Sequence, residues 1–185
     1  MDAISFKARF INTATVNKLN SATGKYEKKV VSLVEMNKDS ASDFASLHKL
    51  CSLWKYSDNF IGTILMTLSN FDRNSRNVYI LTEQTGNFRK LVPEQILGVE
   101  EVQKQDNSYR LDYLQTRPDT KFKAKGREYK GIGGSLLNHI LNKFGTKKKI
   151  YLNSVENAIE FYKKYGFKVL DRTVADPLMV HFPIQ

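Results

Sequence analysis

The residues with the clearest chemical potential lie between Arg127 and Leu137, where Gly131, Gly133 and Gly134 open a run that turns helical. Glycine leaves the main chain bare, so peptide N–H groups can come close to a ligand. Leu136, Leu137, Ile140, Leu141 and Phe144 then recur at helical spacing as one apolar stripe. N–H groups at the head of a packed helix lack intrahelical partners, and the helix dipole adds positive potential there. The pattern therefore favours a phosphate-bearing ligand held by main chain. A tight turn with no ligand is the competing reading.

Two familiar phosphate loops do not fit. A Walker-type loop needs Lys-Ser or Lys-Thr after its last glycine, whereas Ser135 and Leu136 follow Gly134. A dinucleotide fingerprint sets its loop close behind a strand and needs a third glycine where this chain has Leu136.

Composition narrows the classes. The chain has 185 residues, 41% of them hydrophobic, with 11 Phe and 9 Tyr, enough for one well-filled domain spanning 1–185 and against disorder. It has no apolar run of about 18 residues, so no membrane partner is expected. Residues Met1 to Phe6 lack the basic-then-apolar order of a signal peptide. One cysteine, Cys51, excludes an internal disulfide and a cysteine-based zinc site, so a cytoplasmic protein without a metal is expected. The net charge of +10 implies an anionic partner: nucleic acid, an acidic protein surface and a polyphosphate cofactor all fit. A basic surface kept for solubility fits as well.

The elements that must position the glycine run are legible in order. Ile4 to Leu19 and Val30 to Val34 suggest a hairpin around Asn20 to Gly24. Ser40 followed by Asp43 is a capping-box signal for a helix carrying Phe44, Leu47, Cys51 and Trp54. His48 and Cys51 read as packing residues. Asp58-Asn59 would cap a second helix with Phe60, Ile61, Ile64, Leu65 and Leu68, and 72–77 reads as loop. Strands are expected at Asn77 to Thr82, Ile96 to Val102 and Tyr109 to Thr116, forming an antiparallel meander. A lysine-bearing linker, Asp119 to Gly126, leads to the glycines. Beyond them come a strand at Ile150 to Asn153 and a helix capped by Ser154 and ended by Gly166. Two closing strands follow at Phe167 to Leu170 and Leu178 to Phe182.

Three pieces of this order resemble the GNAT N-acetyltransferase superfamily. Leu114 to Pro118 resembles the family's fourth strand and following proline. Glu128-Tyr129-Lys130-Gly131-Ile132-Gly133 stands where the family has Gln/Arg-x-x-Gly-x-Gly/Ala. Asn157 to Phe167 resembles its closing helix with Phe-Tyr-x-Lys-x-Gly-Phe. The resemblance runs from about Ile96 to Val169 and departs in three places. Glu128 takes the Gln/Arg position with Arg127 just before it, the linker is longer than usual, and Val155 replaces a common asparagine, with Asn157 nearby.

The resemblance implies an α/β fold with a mixed, mostly antiparallel sheet of six to seven strands, four helices, and a cofactor cleft splayed between the fourth and fifth strands. It implies an acetyl-CoA-dependent N-acetyltransferase whose acceptor amine attacks the thioester directly. Cofactor contacts would come from Leu114, Gln115, Thr116, Arg127, Glu128, Tyr129, Lys130, Gly131, Ile132, Gly133, Gly134, Ser135 and Asn157. Lys121, Lys123, Lys125 and Lys130 would lie near the nucleotide phosphates. An N–H near Leu114 would steady the oxyanion, and Tyr162 would be the general acid for the CoA thiolate. Glu100, Glu101 and Asp112 are candidate bases; strand alternation puts Glu100 and Glu101 on opposite faces. His48, His139 and His181 fall in no family motif.

The acceptor is unassigned: a small molecule, a peptide or an acylated tRNA, shaped by residues 40 to 77, on a monomer or homodimer. The alternative is a GNAT-like binding module for nucleic acid or a protein partner, without catalysis.

Overall fold

Two long strands, β1 (Arg9–Leu19) and β2 (Tyr26–Glu35), form the expected hairpin in the computed structural model. This structure describes residues 7–54, 60–69, 71–118, 127–173 and 175–183. The Asp58-Asn59 cap, Ile4, and Lys121, Lys123 and Lys125 lie outside the described residues. Asn20 builds the hairpin turn, its side-chain oxygen accepting from the Ala22 N–H at 2.9 Å, and Gly24 completes it at φ +66°.

Helix α1 (Ala41–Leu53) begins at Ser40, whose hydroxyl oxygen accepts from the Asp43 N–H at 3.3 Å. The capping box is not reciprocal, because the buried Asp43 carboxylate turns back to the Asn37 N–H at 3.0 Å. Leu47 and Leu50 are buried on the helix's inner face, but His48 is exposed, which corrects the packing role expected of it. Helix α2 (Phe60–Leu68) follows. The stretch 72–77 is not a loop: a 3₁₀ turn at Phe71–Ser75 runs directly into β3 (Arg76–Thr82).

β4 (Ile96–Lys104) and β5 (Ser108–Thr116) complete the meander. A two-residue strand, β6 (Tyr129–Lys130), leads into α3 (Ile132–Ile140), which ends in a π-wound turn at Leu141–Gly145. Then come β7 (Lys149–Asn153), a 3₁₀ turn at Glu156–Ala158, α4 (Ile159–Lys163), β8 (Lys168–Asp171) and β9 (Leu178–His181). Ser154 does not cap the last helix. It is buried, and its hydroxyl donates to the Val155 carbonyl instead.

The strands form one sheet in the order β6-β1-β2-β3-β4-β5-β7-β9-β8. Each neighbouring pair is antiparallel except β5–β7. The fold is thus the expected mixed α/β one, with nine strands in place of six to seven. β6 is too short to leave a periodic pattern.

β3 and β4 are buried on both faces. Tyr79 and Leu81 pack with α3 and Ile159 of α4, whereas Val78, Ile80 and Val99 pack with Leu47, Leu50, Ile61 and Ile64 of α1 and α2. Gly98 lets α3 sit this close, since a Cβ there would fall 2.7 Å from Ile132 Cγ2. Among the described residues no helix is long and apolar enough to cross a membrane.

Candidate active site

The strand before the glycine turn is bent by a bulge. Glu101 faces Tyr113 and Val102 faces Leu111, so Asp112 is the extra residue of β5. The insertion changes which side chains share a face. Leu111 and Leu114 both pack on the α3 side, and Tyr113 packs on the α2 side against Phe60, with ring centroids 5.4 Å apart.

At this bulge the sheet opens. β5 and β7 pair only from Ser108–Lys149 to Arg110–Tyr151, although β5 continues to Thr116. The Arg117 N–H donates to the Leu97 carbonyl at 2.8 Å, on the β4 side. Strand alternation then aims the Leu114 and Thr116 N–H groups at the other edge, where β7 has diverged.

The head of α3 closes this gap from one side. Gly131 is its N-cap at φ +89°, a left-handed conformation that requires glycine, and the first helical bond runs from the Ser135 N–H to the Gly131 carbonyl at 2.9 Å. The N–H groups of Ile132, Gly133 and Gly134 precede that bond and form the anion-favouring head. A Cβ on Gly133 would stand 3.5 Å from Leu114 Cδ2, 3.5 Å from Phe161 Cζ and 3.6 Å from Thr116 Cγ2, so this glycine faces the gap itself.

One detail narrows the N–H groups that can meet a phosphate. β6 pairs with β1, and the Leu19 N–H donates to the Glu128 carbonyl at 2.7 Å. The parity of that ladder directs the Lys130 N–H toward Asn17. Gly134 is a glycine for another reason: the Tyr165 hydroxyl fills the space its Cβ would need, while its N–H still belongs to the head of α3.

Around the turn, the Arg127 carbonyl accepts from the Tyr26 hydroxyl at 2.7 Å, and the Lys130 ammonium sits 3.7 Å from the Tyr26 ring centre. Glu128 pairs with Arg117 and, at 3.6 Å, with Lys18. Those two cations also approach the ring of buried Tyr129, standing 5.2 and 5.1 Å from its centre. Burial raises its phenol to about 12. Asn157 is exposed in the turn before α4.

Helix α4 brings Phe161 against the gap and Tyr162 beside it, the latter half-buried with its ring edge against Phe161 and Phe167. Burial, with a smaller push from the Glu100 carboxyl, raises the Tyr162 phenol to about 12.

The three carboxylates separate as alternation requires. Glu100 lies on the α3 side, fully buried, where burial lifts its carboxyl well above the usual range and Lys143 only partly offsets this. Glu101 lies on the α2 side, accepting from the Thr67 hydroxyl at 2.7 Å, and burial raises it too. Asp112 is gripped by Arg76 at 2.8 Å and Arg110 at 2.9 Å, and Arg110 also donates to Asn153 of β7 at 2.9 Å. This network ties β5 to β7 where they begin to part. Arg76 lies in no motif, and Arg117 falls inside the Leu114–Pro118 stretch without a role assigned to it; what each does is defined by what the fold sets beside it.

Comparison with known proteins agrees with this geometry. The family model described as "Acetyltransferase (GNAT) domain" matches residues 80–185. N-alpha-acetyltransferase 50 of Danio rerio is 49% identical over 47 residues, 22% of this chain, and the match spans only 28% of that protein's length. The fold is similar to that of the PaiA N-acetyltransferase of Thermoplasma acidophilum, solved in complex with coenzyme A (TM-score 0.51, 19% identity, 82% of this chain and 99% of that one). It is also similar to that of the ribosomal-protein-S18-alanine N-acetyltransferase of Escherichia coli (TM-score 0.54, 16% identity, 83% and 94%). With a family model covering more than half its length, the chain belongs to the GNAT acetyltransferases.

Proposed function

We propose that the protein transfers the acetyl group of acetyl-CoA to an amine. One observation carries this reading: β5 parts from β7 directly beside the head of α3, with Gly133 facing the gap. An extended pantetheine would lie along Leu114, Gln115 and Thr116 as an added strand. Its diphosphate would rest on the N–H groups of Ile132, Gly133 and Gly134. Gly131 shapes that turn, and Ser135, Tyr129, Glu128, Arg127 and Lys130 frame it. Asn157 would approach from the α4 side.

The amine nitrogen attacks the thioester carbon while the Leu114 N–H stabilises the oxygen as it gains charge. The carbon–sulfur bond then breaks, and the departing thiolate takes the proton of Tyr162. A phenol held near 12 keeps that proton at neutral pH until the sulfur needs it. The amine's own proton leaves to water or to a carboxylate of the central strands.

A hollow of about 340 Å³ lined by Leu53, Trp54, Pro93, Glu94, Arg117 and Pro118 supports an acceptor entering near the end of α1. The name of the Danio rerio relative makes a peptide α-amine the first acceptor to assay. Calorimetry with CoA, followed by thiol release from acetyl-CoA against peptide and small-molecule amines, tests the proposal. Binding with acceptor-dependent thiol release is expected; folded protein that gives no heat with CoA or acetyl-CoA overturns it.

A further inference from the structure

Glu128 poses an electrostatic problem. It stands three residues before the N-cap of α3, a span of at most about 10 Å between the two Cα atoms. That is roughly one Debye length at physiological salt, and a bare negative charge there would oppose any phosphate bound at Ile132 to Gly134.

The structure supplies the answer at the end of β5. Arg117 is only 17% exposed, its main chain is fixed by the bond to Leu97, and its guanidinium lies against the Tyr129 ring while pairing with Glu128. Lys18, from β1, approaches the same carboxylate at 3.6 Å and Glu83 at 3.1 Å. Both cations also lie over the Tyr129 ring, and the two positive charges of Arg117 and Lys18 balance the two negative charges of Glu128 and Glu83.

We propose that Arg117 is a positioning residue that neutralises Glu128 and so makes the glycine turn able to accept a diphosphate. The inference rests on the acetyl-CoA reading above. It goes further in assigning a role to an arginine outside the glycine motif and in explaining how this chain tolerates an acid at that motif's first position. Its role in this proposal is exercised through Glu128. Its guanidinium lies over the Tyr129 ring while pairing with Glu128, a combination suited to the planar, forked arginine side chain.

A double-mutant cycle on the full chain tests it, with CoA affinity measured by calorimetry at low and at physiological salt. Arg117→Met is expected to weaken CoA by about tenfold at low salt and by less when salt screens the exposed acid. Glu128→Gln alone is expected to bind CoA as well as the wild type or better. The pair Arg117→Met with Glu128→Gln should return to within about twofold of Glu128→Gln. Pantetheine, which lacks the diphosphate, serves as the second ligand in an NMR titration at millimolar concentration, and its affinity should not change in any variant.

A double variant that stays as weak as Arg117→Met overturns the proposal, as does an equal loss for pantetheine and CoA. Should Arg117→Met unfold, Arg117→Lys and Glu128→Gln still decide the matter: a tenfold loss of CoA on Glu128→Gln refutes it. A wild type that fails to bind CoA refutes the acetyl-CoA reading instead, whereas a wild type that binds normally beside an unaffected Arg117→Met refutes only this inference.

Discussion

Glu100 stands directly across the β4–β5 ladder from Leu114, and neither oxygen of its carboxyl has a hydrogen-bond partner among the described residues. A buried, unsatisfied polar group costs about 1–3 kcal/mol. Its pH dependence has a definite sign. Burial raises the folded pKa well above 4.5, so the unfolded chain gives up a proton that the folded chain retains. The stability carried by the neutral form is complete below about pH 4 and drains away as pH climbs toward the folded value. Glu100→Leu should therefore melt higher than the wild type, and the gap should widen from mildly acidic to mildly alkaline buffer. Melting curves across that range check it.

Tyr162→Phe removes one hydroxyl and keeps the ring that packs on Phe161 and Phe167. Turnover should fall by about ten- to a thousandfold, while CoA affinity stays within about threefold. Pre-steady-state thiol release together with calorimetry separates the two effects, and unchanged turnover removes the acid role.

Gly133 and Gly134 are neighbours with different reasons to be glycine. Gly133→Ala meets ordinary contacts and sits in a helix, so it should gain up to about 1 kcal/mol of stability while weakening CoA binding. Gly134→Ala should lose about 1–3 kcal/mol by collision with the Tyr165 hydroxyl, and Tyr165→Phe should recover most of it. Denaturant midpoints of the three variants, read beside CoA affinity, test both assignments.

His139 is held neutral in the folded protein. Burial, aided by Lys143, lowers its pKa from 6.5 to about 4. The stability linked to it is present above about pH 6.5 and lost as pH falls toward about 4. His139→Phe keeps an aromatic ring beside Tyr79, now 4.7 Å from the imidazole centre, and should flatten the acid side of the stability curve. Urea midpoints at several pH values measure this.

Much of the fold could be read from the chain because its signals are local. The apolar stripe from Leu136 to Ile140 and the turn at Gly166 obey helical period and glycine stereochemistry, and both are present. Asp112 shows why the rest was hidden. A single inserted residue leaves no mark in composition, yet it sends Tyr113 toward α2 and returns Leu114 to α3. Ser154 and Asp43 had the right chemistry for caps, but other partners claimed them. The surroundings of Glu128 depend on Lys18 and Arg117, which the chain brings together only by folding, so no reading of the motif alone reveals them.

The glycine turn is moored to residues more than one hundred positions earlier. The Tyr26 hydroxyl holds the Arg127 carbonyl, and the Leu19 N–H holds that of Glu128. A fragment beginning at residue 80, where the family likeness starts, would keep the whole motif and lose both moorings. The loop that looks self-sufficient on paper is in this protein a suspended one, and its anchorage belongs to the half of the chain that the family pattern does not describe.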